Sequence, residues 1–332
     1  MPEALPDTAA WLAGLARKAF DGAAISREDA LRLLELPPEC SEDVLHAADA
    51  LRRDCIGNRV TTCSIINAKS GRCSENCSFC AQSARHATAV TNYPLMAPEE
   101  MLNRAAREEH HSLRCGIVTA GRGMTGAEIT TVCEAIEGFQ KRGLKQRPCA
   151  SLGFVSSADF KRLKAAGLKR FHHNLEASRA YFPSVCTTHT YEERIATIRK
   201  AEAAGLEVCV GAIFGLGENN ADRVDVLEEI RALDPDAVPL NFLVPIEGTP
   251  LAGLACMPRW DAIRIIALAR FLMPCKDILI GGGRLEVFGD EQHLIFRAGA
   301  NAMIVGDLLT VKGRSPEDDM NLIKELGLEL TL

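Results

Sequence analysis

Short apolar segments rich in β-branched residues alternate with amphipathic helical segments from residue 61 onward, and this rhythm constrains the fold more than any other feature. We predict eight strands, at TTCSIINA (61–68), LRCGIVT (113–119), PCASLGF (148–154), KRFHHNL (169–175), EVCVGAIFG (207–215), AVPLNFL (237–243), DILIGG (277–282) and NAMIVG (301–306). Alternating strands and helices build a parallel sheet, and eight such units predict an α/β fold, a TIM-type (β/α)8 barrel.

The first 57 residues carry helical patterns and no predicted strand. Ser26 stands before the helical segment REDALRLLEL as a candidate N-cap, and Gly57 follows the last helical segment of this region. We therefore predict an N-terminal helical extension at residues 1–57 and a barrel at residues 58–332. No linker between them and no low-complexity segment marks a further domain.

The charge balance limits the partners of the chain. Its 332 residues include 38 Lys and Arg against 44 Asp and Glu, a formal net charge of −6. This balance offers no broad positive surface for a phosphate backbone, so we expect no nucleic-acid partner. The N-terminal segment lacks a basic region followed by an apolar one, and no stretch of about 18 apolar residues follows it. We therefore expect a soluble, cytoplasmic protein without a membrane partner.

Thirteen cysteines are present, and three of them lie in one loop directly after the first predicted strand. In KSGRCSENCSFCAQS, Cys73, Cys77 and Cys80 have the spacing C-x3-C-x2-C. A structural zinc site uses four protein ligands, whereas three thiolates on a [4Fe–4S] cube leave one iron open to another molecule. The spacing therefore favours a [4Fe–4S] cluster, and a zinc loop completed by a distant ligand is the alternative. Isolated cysteines are usually small buried hydrophobes, and we expect this of Cys40, Cys55, Cys133, Cys186 and Cys256.

The cysteine loop resembles that of the radical S-adenosylmethionine (SAM) family. In that family the open iron binds the amino and carboxylate groups of SAM. One electron from the cluster then cleaves SAM to a 5′-deoxyadenosyl radical, which abstracts hydrogen from an unactivated carbon. Phe79, just before the last cysteine, matches the family's aromatic position beside the adenine.

Within this family, the chain resembles the biotin synthases over nearly all of its length after residue 45. The resemblance lies in NAKSGRCSENCSFCAQS and, in the same order, in HHNLEAS, THTYEERIATI, GAIFGLGE, PLNFLVPIEGTPL and FRAGANAMIVG. It implies insertion of sulfur between two saturated carbons of dethiobiotin, with SAM consumed and biotin formed. It also implies an electron donor such as flavodoxin, iron–sulfur assembly proteins as partners, and a homodimer.

Four residues match family positions that bind SAM or substrate. Asn174 matches a position that touches both, and Glu176 stands where the family often has Asp, placed to bond the ribose hydroxyls. Arg194 matches an arginine expected at the methionine carboxylate, a pairing that suits a planar, permanently charged group. Asn241 matches the asparagine at the ureido ring of dethiobiotin. The alternative for each is a polar residue that satisfies backbone groups or faces solvent.

The same resemblance implies a second, auxiliary cluster that donates the sulfur, held in familiar members by three cysteines and one arginine. Cys149 and Cys209 match two of these cysteines. Gly116 occupies the place of the third, with Cys115 one residue earlier, and a shift of one residue turns a strand side chain to the opposite face. Leu279 occupies the place of the arginine ligand, while Arg284 matches a different family arginine.

Two further cysteines are candidates for the incomplete auxiliary set. We favour Cys63, which shares strand parity with Ile65 and resembles a subgroup with a larger auxiliary cluster. The predicted ligands are then Cys63, Cys149 and Cys209, with an unassigned fourth, on a [2Fe–2S] or larger cluster. Cys275 is expected to be an ordinary buried thiol, and the same alternative stays open for Cys63.

Two other functions compete with this interpretation. The first is another radical SAM barrel enzyme, such as a maturase or a mutase, against which Cys149, Cys209 and Asn241 argue. The second is a non-catalytic protein in which Cys73, Cys77 and Cys80 form a metal clasp.

Overall fold

Parallel strands close into a barrel in the computed structural model, which describes residues 8–331. The strands are β1 (Arg59–Lys69), β2 (Arg114–Thr119), β3 (Arg147–Ser151), β4 (Arg170–His172), β5 (Glu207–Cys209), β6 (Ala212–Phe214), β7 (Ala237–Phe242), β8 (Asp277–Ile280), β9 (Ala302–Ile304) and β10 (Glu329–Thr331). They follow the order β1-β2-β3-β4-β5-β7-β8-β9, and β9 pairs with β1 to complete the ring. The predicted TIM-type barrel is confirmed.

Two features of the sheet differ from the prediction. The fifth predicted strand divides into β5 and β6, which both pair with β7. The backbone of Gly211, between them, passes so close to Pro239 that a Cβ would lie 1.8 Å from the Pro239 carbonyl oxygen. The short strand β10 was not predicted, and it pairs in parallel with the first residues of β1.

Helices cover the outside of the barrel and form the N-terminal region. They are α1 (Thr8–Phe20), α2 (Arg27–Glu35), α3 (Ser41–Ile56), α4 (Pro98–Arg107), α5 (Gly126–Lys141), α6 (Ser157–Ala166), α7 (Phe182–Val185), α8 (Tyr191–Ala203), α9 (Asn220–Leu233), α10 (Arg259–Leu272), α11 (Arg284–Phe288), α12 (Leu294–Arg297) and α13 (Pro316–Glu325). Ser26 caps α2 by accepting a hydrogen bond from the Asp29 amide, as predicted. None of the helices within residues 8–331 is long and apolar enough to cross a membrane.

Strand β1 shows how the sequence sorts side chains between core and lumen. Val60, Thr62 and Ser64 are buried between sheet and helices, while Cys63 and Ile65 alternate with them and face a cavity inside the barrel. This period of two is the ordinary geometry of a strand with two different faces. It brings chemically active residues from separate strands into one enclosed space.

Candidate active site

A cavity of about 370 Å³ lies inside the barrel. Strands β1 to β9 contribute to its wall, together with the loop at 79–82 and the segment 308–311. Its volume is in the range of small-molecule sites, and strand ends and following loops form the active sites of TIM-type barrels. All but three of the predicted site residues line this cavity, the exceptions being Cys73, Cys77 and Arg194.

The three-cysteine loop follows β1 and is held by its own backbone. The Cys73 amide donates to the Gln82 carbonyl at 2.9 Å, and the Cys73 carbonyl accepts from the Ala84 amide at 2.8 Å. The Cys80 amide donates to the Cys77 carbonyl at 3.0 Å. Cys80 and its neighbour Phe79 line the cavity. The backbone of the loop is therefore held by hydrogen bonds, and it places Cys80 at the cavity wall.

Burial keeps the thiols of this loop protonated when no metal is bound. It raises the pKa of Cys80 to about 11 and raises that of Cys73 as well. The pKa of Cys77 is raised first by a hydrogen bond with Cys186 and then by burial. Because a metal centre deprotonates its thiol ligands, binding of an iron cluster by these three cysteines would release their protons.

Cys186 is a buried neighbour of Cys77 that the sequence pattern did not connect with the cysteine loop. The sulfurs of Cys77 and Cys186 and a ring nitrogen of His189 lie within 4.8 Å of one another. Hydrogen bonds from Cys77 foremost, and from His189 and Thr188, lower the pKa of Cys186 to about 3 although burial opposes this. The spacing Cys-x-x-His was the available signal. The expectation that Cys186 is buried is confirmed.

Asn174, Glu176 and Arg194 form one network after β4. Arg194 donates from Nη1 to the Asn174 carbonyl at 2.8 Å and lies 3.4 Å from Glu176 Oε1. Asn174 Nδ2 donates to Glu176 Oε2 at 3.2 Å. Arg194 lies in the first turn of α8, which begins at Tyr191 after a capping box formed by Thr190 and Glu193. It is buried behind the cavity wall, whereas Asn174 and Glu176 line the cavity.

Glu176 has an unusual backbone and an unusual environment. Its backbone φ of 70° lies in the left-handed region, which residues other than glycine rarely adopt. Burial raises the pKa of its carboxyl group, and the nearby Arg194 limits that rise. Strained non-glycine residues concentrate at functional sites, so this geometry is consistent with a binding role.

Asn241 on β7 also lines the cavity. Its Oδ1 accepts from the Gly282 amide at 2.8 Å, and its Nδ2 donates to the Ala212 carbonyl at 3.3 Å. These bonds to two backbone segments fix the orientation of the amide. A polar group held in this way at a cavity wall is suited to fixing the orientation of a bound molecule.

Cys63, Cys149 and Cys209 come from three different strands and line the same cavity. Burial raises the pKa of each thiol, that of Cys209 to about 12. As strand parity predicts, Gly116 lines the cavity and Cys115 is fully buried outside it. The structure thus places the three thiols of the predicted auxiliary set around one space.

Two arginines and a glutamate surround these thiols, and no sequence motif indicated them. Arg114 Nη2 and Arg170 Nε each lie 2.9 Å from Glu207 Oε2. Arg114 Nη1 lies 4.0 Å from the sulfur of Cys149. Arg114 Nε is buried and has no hydrogen-bond partner among the described residues. A buried cationic donor without a partner, beside three thiols, fits a negatively charged iron–sulfur group in this cavity.

His172 also lines the cavity, at the end of β4. Its Nδ1 lies 3.4 Å from the sulfur of Cys209. Burial, and to a lesser extent the charge of Arg194, lower the pKa of His172 to about 4. The ring is therefore neutral at pH 7.

The remaining candidates lie elsewhere. Cys275 is exposed and does not line the cavity, so the expectation of a buried thiol is wrong there, as it is for the exposed Cys256. Leu279 lines the cavity, at the place for which the resemblance implies an arginine ligand. Arg284 is buried in an ion pair with Asp319, Nη2 to Oδ2 at 2.6 Å, and stabilises the fold.

Comparisons with known proteins agree with this geometry. Residues 68–230 match the Radical SAM superfamily, and residues 239–329 match the Biotin and Thiamin Synthesis associated domain. Among solved structures, methylornithine synthase superposes with a TM-score of 0.84 at 21% identity, covering 96% of this chain and 97% of that one. A FeFe-hydrogenase maturase from Carboxydothermus hydrogenoformans gives 0.81 at 16% identity, covering 98% and 80%. Fold and site together define a radical SAM enzyme.

Curated relatives narrow the class further. A biotin synthase of Trichlorobacter lovleyi is 44% identical over 316 residues, covering 95% of each chain. That of Heliobacterium modesticaldum is 44% identical over 312 residues, covering 94% of this chain and 95% of the relative. The chain belongs to the biotin synthase family.

Proposed function

We propose that this chain converts dethiobiotin to biotin by radical sulfur insertion inside the barrel. The observation that supports the proposal is that one cavity is lined both by Cys80, from the three-cysteine loop after β1, and by Cys63, Cys149 and Cys209 from the strands. A single structural metal clasp would need only the loop. Two sets around a substrate-sized space suit a reaction that needs both a radical and a sulfur source.

We assign Cys73, Cys77 and Cys80 as ligands of the [4Fe–4S] cluster, and Cys63, Cys149 and Cys209 as ligands of the auxiliary cluster. When bound, the first group and SAM supply the radical, and the second supplies the sulfur. The protein holds the thiols in place and keeps bulk water away from them. Arg114 and Arg170 supply positive charge beside the second set, and Glu207 fixes their direction.

The polar residues of the wall bind and orient the two organic molecules in this proposal. Phe79, beside Cys80, offers a ring for the adenine, and Glu176 offers a carboxylate for ribose hydroxyls. Asn241 donates to or accepts from the ureido ring of dethiobiotin, and Asn174 contacts both molecules. Arg194 binds the methionine carboxylate, or it acts from behind the wall through Asn174 and Glu176.

Several features of the whole protein belong to the same proposal. We divide the chain into the helical extension at 1–57 and the radical SAM barrel at 58–332. We also propose a cytoplasmic homodimer that takes electrons from a donor such as flavodoxin and clusters from iron–sulfur assembly proteins. Family membership supports these features.

Anaerobic turnover tests the proposal. The purified, reconstituted protein is given SAM, dithionite and dethiobiotin, and biotin and 5′-deoxyadenosine are measured beside iron and sulfide per chain. We expect both products, and iron beyond one four-iron cluster. Deoxyadenosine without biotin, from protein with both clusters intact, would indicate a different radical SAM reaction. The absence of both products would indicate the metal clasp.

A further inference from the structure

His172 is a nitrogen donor on the wall that surrounds the strand thiols. It pairs in register with Cys209 across β4 and β5, and its Nδ1 lies 3.4 Å from the Cys209 sulfur. Strand parity places His172 on the same face as Arg170, two residues earlier, and both line the cavity. His173, the next residue, is buried against Phe154 and Phe171 and does not line it.

Several other polar groups of the wall have protein partners, although Arg114 Nε has none among the described residues. The guanidinium groups of Arg114 and Arg170 bond to Glu207. Asn174 Oδ1 accepts from the Gly211 amide, and both polar atoms of the Asn241 amide are bonded to backbone. The His172 ring, in contrast, contacts a thiol of the proposed auxiliary set, that of Cys209.

We propose that His172 is the fourth protein ligand of the auxiliary cluster, beside Cys63, Cys149 and Cys209. The inference rests on the proposed function, because it presumes a cluster on these three thiols. Imidazole is an established ligand of iron–sulfur clusters, in which two histidines can replace two cysteines. His172 on β4 lies between the strands of Cys149 on β3 and Cys209 on β5. It also supplies a fourth ligand, which Leu279 on β8 cannot supply because its side chain has no donor atom.

Isotope labelling of histidine tests the assignment. The chain carrying Cys73→Ala, Cys77→Ala and Cys80→Ala retains only the auxiliary set, and it is produced with ¹⁵N in histidine alone. Electron–nuclear double resonance of the reduced cluster then reports any histidine nitrogen bonded to iron. His172 is the histidine that lines the cavity among residues 8–331, so such a signal identifies it.

We expect a coupling of directly bonded nitrogen that is lost in His172→Ala and retained in His173→Phe, the matched control at the neighbouring buried ring. Iron X-ray absorption on the same samples reports the imidazole whatever the spin state of the cluster. The difference between His172→Ala and the otherwise unchanged chain gives the same information if the triple variant does not fold.

The outcomes separate this inference from the proposed function. A cluster without histidine coupling, or a coupling that persists in His172→Ala, overturns the ligand assignment and leaves the auxiliary site intact. A folded triple variant that binds no iron or sulfide overturns the auxiliary site, and the ligand assignment with it.

Discussion

Arg194 Nη1 donates a 2.8 Å hydrogen bond to the backbone carbonyl of Asn174, and its side chain is almost fully enclosed. The same guanidinium lies 3.4 Å from Glu176 and donates from Nε to His189 at 3.0 Å. One residue therefore supports both proposed SAM contacts after β4. Its planar group serves three directions at once, which a lysine ammonium on a flexible stem does not reproduce.

We expect Arg194→Lys to weaken SAM binding about tenfold, because loss of one charged hydrogen bond costs about 1.5 kcal/mol. Equilibrium dialysis of the anaerobic, reconstituted protein measures the Kd, and steady-state kinetics separate KM from kcat. Arg199→Lys on the same helix, at an exposed ion pair with Glu202, is the matched control. An unchanged Kd for SAM in Arg194→Lys would exclude both a direct and a supporting role.

The two thiol sets are expected to fail in different ways. Cys77→Ala removes a proposed ligand of the radical cluster and should abolish 5′-deoxyadenosine formation. Cys149→Ala removes a proposed ligand of the auxiliary cluster and should leave some SAM cleavage but no sulfur insertion. Cys133→Ala, on α5 and outside the cavity, controls for general effects of losing a thiol. Full biotin yield from either site variant would refute the corresponding assignment.

Local sequence patterns predict the parts of this site that depend on one strand or one loop. The spacing in the loop predicts Cys73, Cys77 and Cys80 as one ligand set, and strand parity separates Gly116 from Cys115. Both depend only on neighbours along the chain. These signals also place the eight strands of the barrel in the correct order.

Long-range packing decides the rest. Arg114 and Glu207 are 93 residues apart, and they meet only because β2 and β5 belong to the same ring. Cys186 contacts Cys77 through the packing of the α7 region on the cysteine loop. Local sequence patterns do not indicate contacts between residues so far apart in the chain. Such contacts could therefore not be predicted without the three-dimensional structure of the barrel.

Gly116 stands where the resemblance implies the third cysteine of the auxiliary set, and the space around it permits a larger residue. A Cβ there would lie 3.5 Å from Ile65 Cγ2, an ordinary contact, and the glycine has no left-handed backbone. We expect Cys63→Ala to lose auxiliary iron and Cys63→Ala with Gly116→Cys to regain it, because the new thiol faces the same cavity. Iron and sulfide per chain are measured in both. The control is Cys63→Ala with Gly116→Ser, in which a serine of similar size fits the space but brings no thiol. This variant should not regain the auxiliary iron.

Glu207 neutralises two buried cations, so its loss should affect the stability of the barrel. Its pKa is lowered, because Arg114 and Arg170 together outweigh the effect of burial. Glu207→Gln leaves Arg114 and Arg170 without their carboxylate partner. We expect a loss of about 2 kcal/mol in the free energy of unfolding, below the usual cost of breaking a buried pair because the Glu207 side chain is 37% exposed.

The pH dependence of this loss follows from the direction of the shift. A lowered pKa in the folded state means that the stabilisation is fully present above the ordinary value of 4.5 and is lost as the pH falls through the lowered value. The difference in unfolding free energy between the parent chain and Glu207→Gln should therefore be constant from about pH 8 to pH 5 and shrink below about pH 4.5. Denaturant unfolding across this range measures it, with Glu202→Gln at an exposed ion pair as the control. A difference that grows on acidification would show that Glu207 carries no stabilising charge in the folded protein.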